Sequence, residues 1–303
     1  PKMDQNPFWQ SHKNFYPQSD QLKKHFDKRF ENPLNTESDR FCWDYWYVKD
    51  QYKLLRTPAE HFFAGELYDG FENHLIRWGK KNLGCNNVSP MWLSYYIDGC
   101  EQQLHSDSPH GPWAFVFSLT NWDERNFTGG ETYLLKPETL SYWDFFDNKS
   151  GVEKPQLIET IPPKFNQLTV FDPRFPHGVL TVRGAHEPKD SRIVIHGWFT
   201  EPSPCMFGAL NLIDCQETLD EQLNAINKNV QNKGVFSGLL SYKIEISPEG
   251  SVKKVSTLCD TTIEINAHIG TDELADLIND ELKKLTFPKR KDTSTLVLPF
   301  IFS

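Results

Sequence analysis

Between residues 90 and 200 the apolar positions come in short runs, broken every few residues by Pro, Gly, Asn and Asp. That texture predicts strands separated by turns, over 92–97, 113–119, 132–136, 157–160, 167–171, 178–182 and 192–199. Seven or eight strands without long helices predict a double-sheet jelly roll. Upstream the pattern changes. Phe62, Phe63, Leu67, Phe71, Leu75 and Trp78 recur at helical spacing between Pro58 and Lys81, predicting one or two helices. The stretch QLKKHFDKRF around His25 and Asp27 is charged and lacks strand alternation, so it reads as a solvated helical face. The aromatic cluster from Phe41 to Tyr47 predicts a strand or a layer packed over the sheet, with core packing favoured over a substrate platform. Segment 137–156 is a long connection carrying Tyr142, Trp143, Phe145 and Phe146. A connection of that size reads either as a lid over a site or as a loop whose aromatics pack down.

After Glu201-Pro202-Ser203-Pro204 the texture changes again, which predicts a domain over 1–203 and a second over 204–303. In the second, Leu219, Leu223, Ile226 and Val230 space a helix. Leu240, Tyr242, Ile244 and Ile246 alternate along a strand that ends in the Ser247-Pro248-Glu249-Gly250 turn, with Val252 to Leu258 returning as its hairpin partner. Thr271 reads as the N-cap of another helix, with Asp272 and Glu273 in its first turn and Lys283 and Lys284 in its last. Leu296 to Phe302 is a closing strand. The expectation is a mainly β protein with flanking helices: a jelly roll, or double-stranded β-helix, followed by a small α-β-β-α-β domain.

Composition narrows the function classes. The 303 residues are 38% hydrophobic and 14% aromatic, enough for one large packed domain and a smaller one. No run approaches the ~18 apolar residues of a membrane span, and the first residues carry no apolar signal-peptide core. The expectation is a cytoplasmic protein without a membrane span. A net charge of −9 argues against nucleic acid as a partner, because duplex binding relies on clustered Lys and Arg. The six Cys (42, 85, 100, 205, 215 and 259) are scattered without a C-x-x-C pair, which predicts free thiols rather than disulfides or zinc. Neither G-x-S-x-G nor a phosphate-binding glycine loop is present, so serine hydrolase and nucleotide chemistry have no support.

The candidate chemistry centres on His105-Ser106-Asp107. In an extended segment residues i and i+2 project to one side, so an imidazole and a carboxylate reach one ion. A third ligand must come from elsewhere, and two His with one carboxylate make the facial triad of non-haem Fe(II) oxygenases. An H-x-D tripeptide alone is a weak sign, since His25-Phe26-Asp27 is a second one. The company of His105 and Asp107 is stronger. Apolar strands flank them, Gly129-Gly130-Glu131 follows, His177 comes just past an apolar run, and Arg192 heads another that reaches Trp198-Phe199.

In this order the landmarks Tyr96, His105-x-Asp107, Gly129-Gly130-Glu131, His177 and Arg192-x5-Trp198-Phe199 resemble the prolyl-4-hydroxylase-like branch of the Fe(II)/2-oxoglutarate dioxygenases, over roughly residues 90 to 202. The resemblance implies helices that buttress one face of the sheet. It implies His105, Asp107 and His177 as metal ligands, leaving three octahedral positions for 2-oxoglutarate and O2. It implies Arg192 as the partner of the far 2-oxoglutarate carboxylate, with Arg183 as rival, and Tyr96 and Ser118 as further cosubstrate residues. Gly129 and Gly130 allow a tight turn beside the site. Asn121, His110, Arg174 and Trp198 are candidate substrate-facing positions, and Cys100, nearest the metal ligands in sequence, reads as a small core residue. The implied cofactors are Fe(II), 2-oxoglutarate and O2, with ascorbate as an accessory reductant. The implied reaction converts 2-oxoglutarate to succinate and CO2 while a C–H bond is hydroxylated. A carboxylate at 107 favours hydroxylation over the halogenation performed by relatives with a small residue there.

Three readings of function stay open: a hydroxylase of a protein or peptide side chain, a small-molecule hydroxylase that dimerises through residues 204–303, and a non-catalytic sensor of iron or 2-oxoglutarate. The second domain resembles the TonB C-terminal-like fold in its Tyr242-x-Ile-x-Ile-Ser-Pro-Glu-Gly hairpin, the helix ending in Leu285-Thr286-Phe287-Pro288 and the final apolar strand. That resemblance implies a binding or assembly role without chemistry.

Overall fold

The computed structural model describes residues 8–31, 43–63, 65–144 and 146–302. Phe41, Cys42 and Phe145 of the sequence expectations lie outside them. The chain forms two compact units, Pro1–His74 with Val88–Trp198, and Leu75–Asn87 with Phe199–Ser303.

The elements run β1 (Trp9–Lys13), α1 (Ser19–Phe30), β2 (Asp44–Val48), β3 (Tyr52–Pro58), α2 (Ala59–Phe63), α3 (Glu66–Asn82) and β4 (Cys85–Val88). Next come β5 (Trp92–Tyr96), β6 (Glu101–His105), β7 (Trp113–Ser118), β8 (Thr132–Leu135), α4 (Pro137–Leu140), α5 (Lys154–Leu157), β9 (Ile158–Ile161), β10 (Gln167–Phe171), β11 (His177–Val179) and β12 (Arg192–Pro202). The strands join in the order β1-β10-β7-β12-β5-β3-β6-β11-β8-β9 as a curled antiparallel sheet of the jelly-roll kind. β3 makes the turn between its two halves. Leu55 to Pro58 pair with β5, whereas Tyr52 and Lys53 pair with β6.

Helices cover the outer side of the first unit's sheet, as the resemblance implied. Phe26 of α1 packs on Tyr95 of β5 with ring centroids 6.0 Å apart, and Phe71 of α3 lies 4.7 Å from Phe117 of β7. The charged stretch around His25 is helical, and its apolar stripe, Leu22 and Phe26, is fully buried. Strand β2 carries Tyr45 and Tyr47 outward, stacked at 6.1 Å, while Trp46 turns the other way toward Tyr52. Within 137–156, Tyr142, Trp143 and Phe146 contact one another, and Trp143 is 79% exposed, so these aromatics do not pack down into a core.

In the second unit, β13 (Cys205–Gly208), α6 (Gln216–Gln231), β14 (Gly234–Ile246), β15 (Val252–Asp260), β16 (Ile263–Ala267), α7 (Thr271–Leu282) and β17 (Ser294–Phe302) follow. The sheet runs β13-β17-β14-β15, with β16 pairing the first residues of β14. The expected α-β-β-α-β order therefore gains β13 and β16. Both are short, and β16 exposes Ile263 and Ile265, so neither shows the alternation of a half-buried strand. Gly270, not Thr271, caps α7, and its first turn is served by the Glu264 carboxylate, which accepts the Thr271 N–H at 3.2 Å. Lys283 is the C-cap residue of α7 and Lys284 lies beyond it. Leu219, Ile226, Tyr242, Ile244, Leu274, Ile278, Leu296 and Leu298 form the core of this unit.

Cys85, Cys100, Cys215 and Cys259 are buried free thiols, and Cys205 is a half-buried one. Among the described residues no helix is long and apolar enough to cross a membrane.

Candidate active site

Register builds the site. Across β12 and β5, Arg192 faces Tyr96, Val194 faces Ser94 and His196 faces Trp92. Side chains two apart share a face, so Arg192, Val194, His196 and Trp198 line one wall with Ser94 and Tyr96. Ile193, Ile195, Leu93 and Tyr95 take the opposite face and are buried there. The facing wall comes from the other half of the sheet, where His177 of β11 pairs with His105 of β6 on one side and with Leu134 of β8 on the other.

Three ligand-type side chains meet between the walls. The donor atoms of His105, Asp107 and His177 lie within 4.8 Å of one another. His105 Nε2 is 3.8 Å from one Asp107 oxygen, and His177 Nε2 is 3.5 Å from the other. Each imidazole is fixed through its remaining nitrogen. His105 Nδ1 lies 2.8 Å from the Gln103 carbonyl, and His177 Nδ1 lies 2.9 Å from that of Phe175. A carbonyl can only accept, so both rings carry the proton on Nδ1 and direct an Nε2 lone pair at the shared point. Asp107 sits ahead of a short 3-10 turn, Ser108–His110, but makes no side-chain cap bond there. Its carboxylate is left for the two histidines.

The electrostatics suit a cation. Burial favours a neutral Asp107, but the neighbouring His177, with His105 and His110, outweighs it whenever these imidazoles carry a second proton and holds the carboxyl below its ordinary range. Burial, and then the neighbouring His177, lowers His105, so that it is a neutral ligand at pH 7.

Behind the triad is a cavity of about 50 Å³, lined by Tyr96, Thr132, Arg192, Val194 and His196 together with the triad. Arg192 is 1% exposed. Its Nε donates to the Gly130 carbonyl at 2.7 Å, and one terminal nitrogen donates to Thr132 Oγ1 at 3.2 Å. Among the described residues the other, Nη1, is buried without a hydrogen-bond partner. A fully buried guanidinium with an unfilled donor beside a His-His-Asp cluster is what the far carboxylate of a bound dicarboxylate requires. Tyr96 lies under it, with the guanidinium carbon 4.5 Å from the ring centroid, and donates its hydroxyl to Gln102 Oε1 at 2.8 Å. Gly129 and Gly130, at φ +76° and +85°, form the turn that delivers the carbonyl to Arg192, and a Cβ on Gly129 would collide with the Thr181 carbonyl.

The remaining sequence candidates divide. Arg183 is exposed and does not line the cavity. Ser118 follows Ala114 and Val116, which do line it, but its hydroxyl is buried and donates to the Pro163 carbonyl at 2.7 Å. His110 and Trp198 lie tilted against each other, ring centroids 4.5 Å apart, in an outer groove of about 380 Å³ that shares His105, Asp107 and His196 with the cavity. Asn121 lines a separate depression with Lys13 and Lys164, and Arg174 is paired with Asp172. Cys100 belongs to the buried cluster around Leu54, Tyr96 and Val194. Sequence reasoning missed Gln102, Thr132 and His196, although counting by twos from Arg192 reaches His196.

Residues 91–200 match the model of the 2OG-Fe(II) oxygenase superfamily. This stretch is a 2OG-Fe(II) oxygenase domain. Membership implies Fe(II), 2-oxoglutarate and O2, and the donor set and the unfilled Arg192 nitrogen fit the first two. Among solved structures, the chain is similar to a prolyl-4-hydroxylase of Pseudomonas putida, at 16% identity over 65% of this chain and 94% of that one, with a TM-score of 0.41. A viral collagen prolyl hydroxylase from Paramecium Bursaria Chlorella virus-1 matches at 15% identity over 64% and 96%, TM-score 0.39. A Trichoplax adhaerens prolyl hydroxylase, solved with a fragment of hypoxia inducible factor, matches at 13% identity over 64% and 84%, TM-score 0.40. A search of curated proteins finds no match to the chain.

His196 gives the oxygenase domain a measurable pH signature. Its Nε2 lies 2.8 Å from Ser94 Oγ, and burial, then the charges of Arg192 and Arg56, push the imidazole down to about 3. An unfolded histidine titrates near 6.5. Between those values the unfolded chain binds the extra proton. This contribution to stability is therefore complete above about pH 6.5 and falls as the pH drops toward 3, by at most about 1.4 kcal/mol per unit. Urea unfolding at pH 7 and pH 5 is expected to show a smaller loss in His196→Asn than in wild type. Equal losses would mean that His196 titrates normally in the folded protein.

Proposed function

We propose that the protein hydroxylates an unactivated C–H bond, with a protein or peptide side chain as substrate. Arg192 Nη1 carries this reading, because among the described residues it is a buried donor without a hydrogen-bond partner in the cavity that the three-ligand cluster also lines, which suits the far carboxylate of 2-oxoglutarate. His105, Asp107 and His177 would hold Fe(II), and Arg192 and Tyr96 would orient 2-oxoglutarate. When bound, iron, 2-oxoglutarate and O2 supply the oxidation: one oxygen atom enters the substrate C–H, the other enters succinate, and CO2 leaves. The protein's part is orientation. The Nδ1–H bonds to Gln103 and Phe175 hold the imidazoles, and the apolar walls, Val116, Val179 and Val194, exclude water behind the site. The Asp107 carboxylate keeps the third ligand position filled, which supports hydroxylation over halogenation. A peptide substrate is supported by the outer groove of about 380 Å³, which extends the site beyond the cavity past His105 and Asp107. We assign residues 1–203 to catalysis and the TonB C-terminal-like residues 204–303 to binding or assembly.

The test is succinate formation from 2-oxoglutarate under air with Fe(II) and no added substrate, in wild type and in His105→Ala. Uncoupled turnover lost in the variant is the expected result. No turnover in wild type, together with no metal-dependent binding of 2-oxoglutarate, would overturn the assignment. Binding without turnover would point to a sensor.

A further inference from the structure

The outer groove is built around one cation. Arg56 on β3 faces Ser94 on β5, next to His196, and so stands on the same inner wall as the cavity residues. Its guanidinium carbon lies 3.3 Å from the centroid of the Trp46 ring and 4.1 Å from that of Trp92. A guanidinium held between two indoles keeps a fixed plane, and its side chain is only 16% exposed. One edge is used, since Nε donates to Asp44 Oδ2 at 3.2 Å. Among the described residues the two terminal nitrogens have no partner, so four N–H groups remain in a groove that also contains His105 and Asp107. Asp44 offsets the charge only weakly, because its side chain is 55% exposed to water. His196, which lines the same groove, is held neutral by burial.

We infer that Arg56 is a substrate-binding residue that pairs with a carboxylate of the substrate, while Trp46 and Trp92 pack on the apolar part beside it. The planar fork of a guanidinium matches the two oxygens of a carboxylate. With both indoles against its carbon, the free N–H edge is what the guanidinium offers to a ligand. The inference deepens the oxygenase assignment and rests on it for the reaction, though not for the binding.

Calorimetry on the Mn(II)-loaded protein, with 2-oxoglutarate saturating so that Arg192 is occupied, tests it with two matched pairs. Benzoate is compared with benzamide, and acetyl-prolylglycine with its amide. The acids are expected to bind about tenfold more tightly than the amides, the scale of one charge-assisted contact. The peptide pair showing the larger difference would identify the source as a peptide carboxylate, and the benzoate pair a free acid. Arg56→Gln is expected to remove the difference and leave amide binding unchanged. Asp44→Asn leaves the indole sandwich in place and is expected to tighten the acids alone. Equal binding of acids and amides, or no binding of either, would overturn the inference. Failure of 2-oxoglutarate to bind with Mn(II) would instead count against the oxygenase assignment, and repeating the pairs without it would still report on Arg56.

Discussion

Asp107→Ala is expected to abolish both Fe(II) binding and 2-oxoglutarate consumption. The carboxylate is the one anionic member of the cluster, and its two oxygens face the two Nε2 atoms at 3.5 and 3.8 Å. Removing it leaves two neutral imidazoles to hold a dication that prefers mixed nitrogen and oxygen ligands. The loss should far exceed the ~10–100-fold that removal of an outer-shell partner costs. Mn(II) titration followed by electron paramagnetic resonance reads the binding directly, and succinate formation reads the consequence. Wild-type Mn(II) affinity in the variant would show that the ion binds elsewhere. The fold should be little changed, because the Asp107 side chain is 21% exposed and supports no cap or core contact. Circular dichroism should therefore match wild type.

What was legible in the sequence follows from which face each strand buries. Strands β5, β7, β10 and the first half of β12 are buried on both faces and carry long apolar runs, because helices and neighbouring strands cover one side and the cavity the other. Their runs stood out. Strand β6, Glu101 to His105, has no fully buried residue and reads as polar loop, yet it carries the first ligand. Its place is set by backbone pairing to β3 and β11, which no local pattern reports. The hairpin of β2 and β3 was blurred for a related reason: β2 is an exposed edge whose aromatics alternate with other aromatics. The triad was legible as a spacing, but not for the geometric reason first given. His105 ends a strand, and Asp107 lies beyond it, with its N–H donated to the Pro173 carbonyl at 2.9 Å. That long-range bond, not strand periodicity, brings the carboxylate level with the imidazole.

Ser118 and His196 show the same limit from opposite sides. Both lie on strands that line the cavity, at positions of the inward parity. Ser118 is drawn off by Pro163, a partner 45 residues away, whereas His196 is kept inward by Ser94 on the neighbouring strand. Parity nominates such residues, and a distant hydrogen-bond partner decides between them.

Arg192→Met is expected to act in opposite directions on stability and on cosubstrate binding. The guanidinium is fully buried, and burial lowers its affinity for the proton, with the Tyr96 hydroxyl and the Glu131 carboxylate opposing the shift. Nε and Nη2 are satisfied by Gly130 and Thr132, but among the described residues Nη1 makes no hydrogen bond. A buried charge without its counter-ion costs several kcal/mol, and a hydrophobic side chain of similar volume relieves that cost, less the partners it strands. The variant's melting temperature without ligand should therefore hold or rise. Binding should collapse, because the far carboxylate would enter an apolar pocket unpaired. Loss of a charge-assisted pair worth about 3–5 kcal/mol raises the dissociation constant of 2-oxoglutarate by roughly two to three orders of magnitude or more. Arg192→Lys should recover only part of this, because an ammonium cannot reach Gly130, Thr132 and a carboxylate at once with a single fork. Thermal unfolding with and without Mn(II) and 2-oxoglutarate separates the cases. A stabilised variant that no longer responds to 2-oxoglutarate assigns Arg192 to the cosubstrate. A destabilised one that still responds would make Arg192 a structural strut, and the carboxylate would then need another partner.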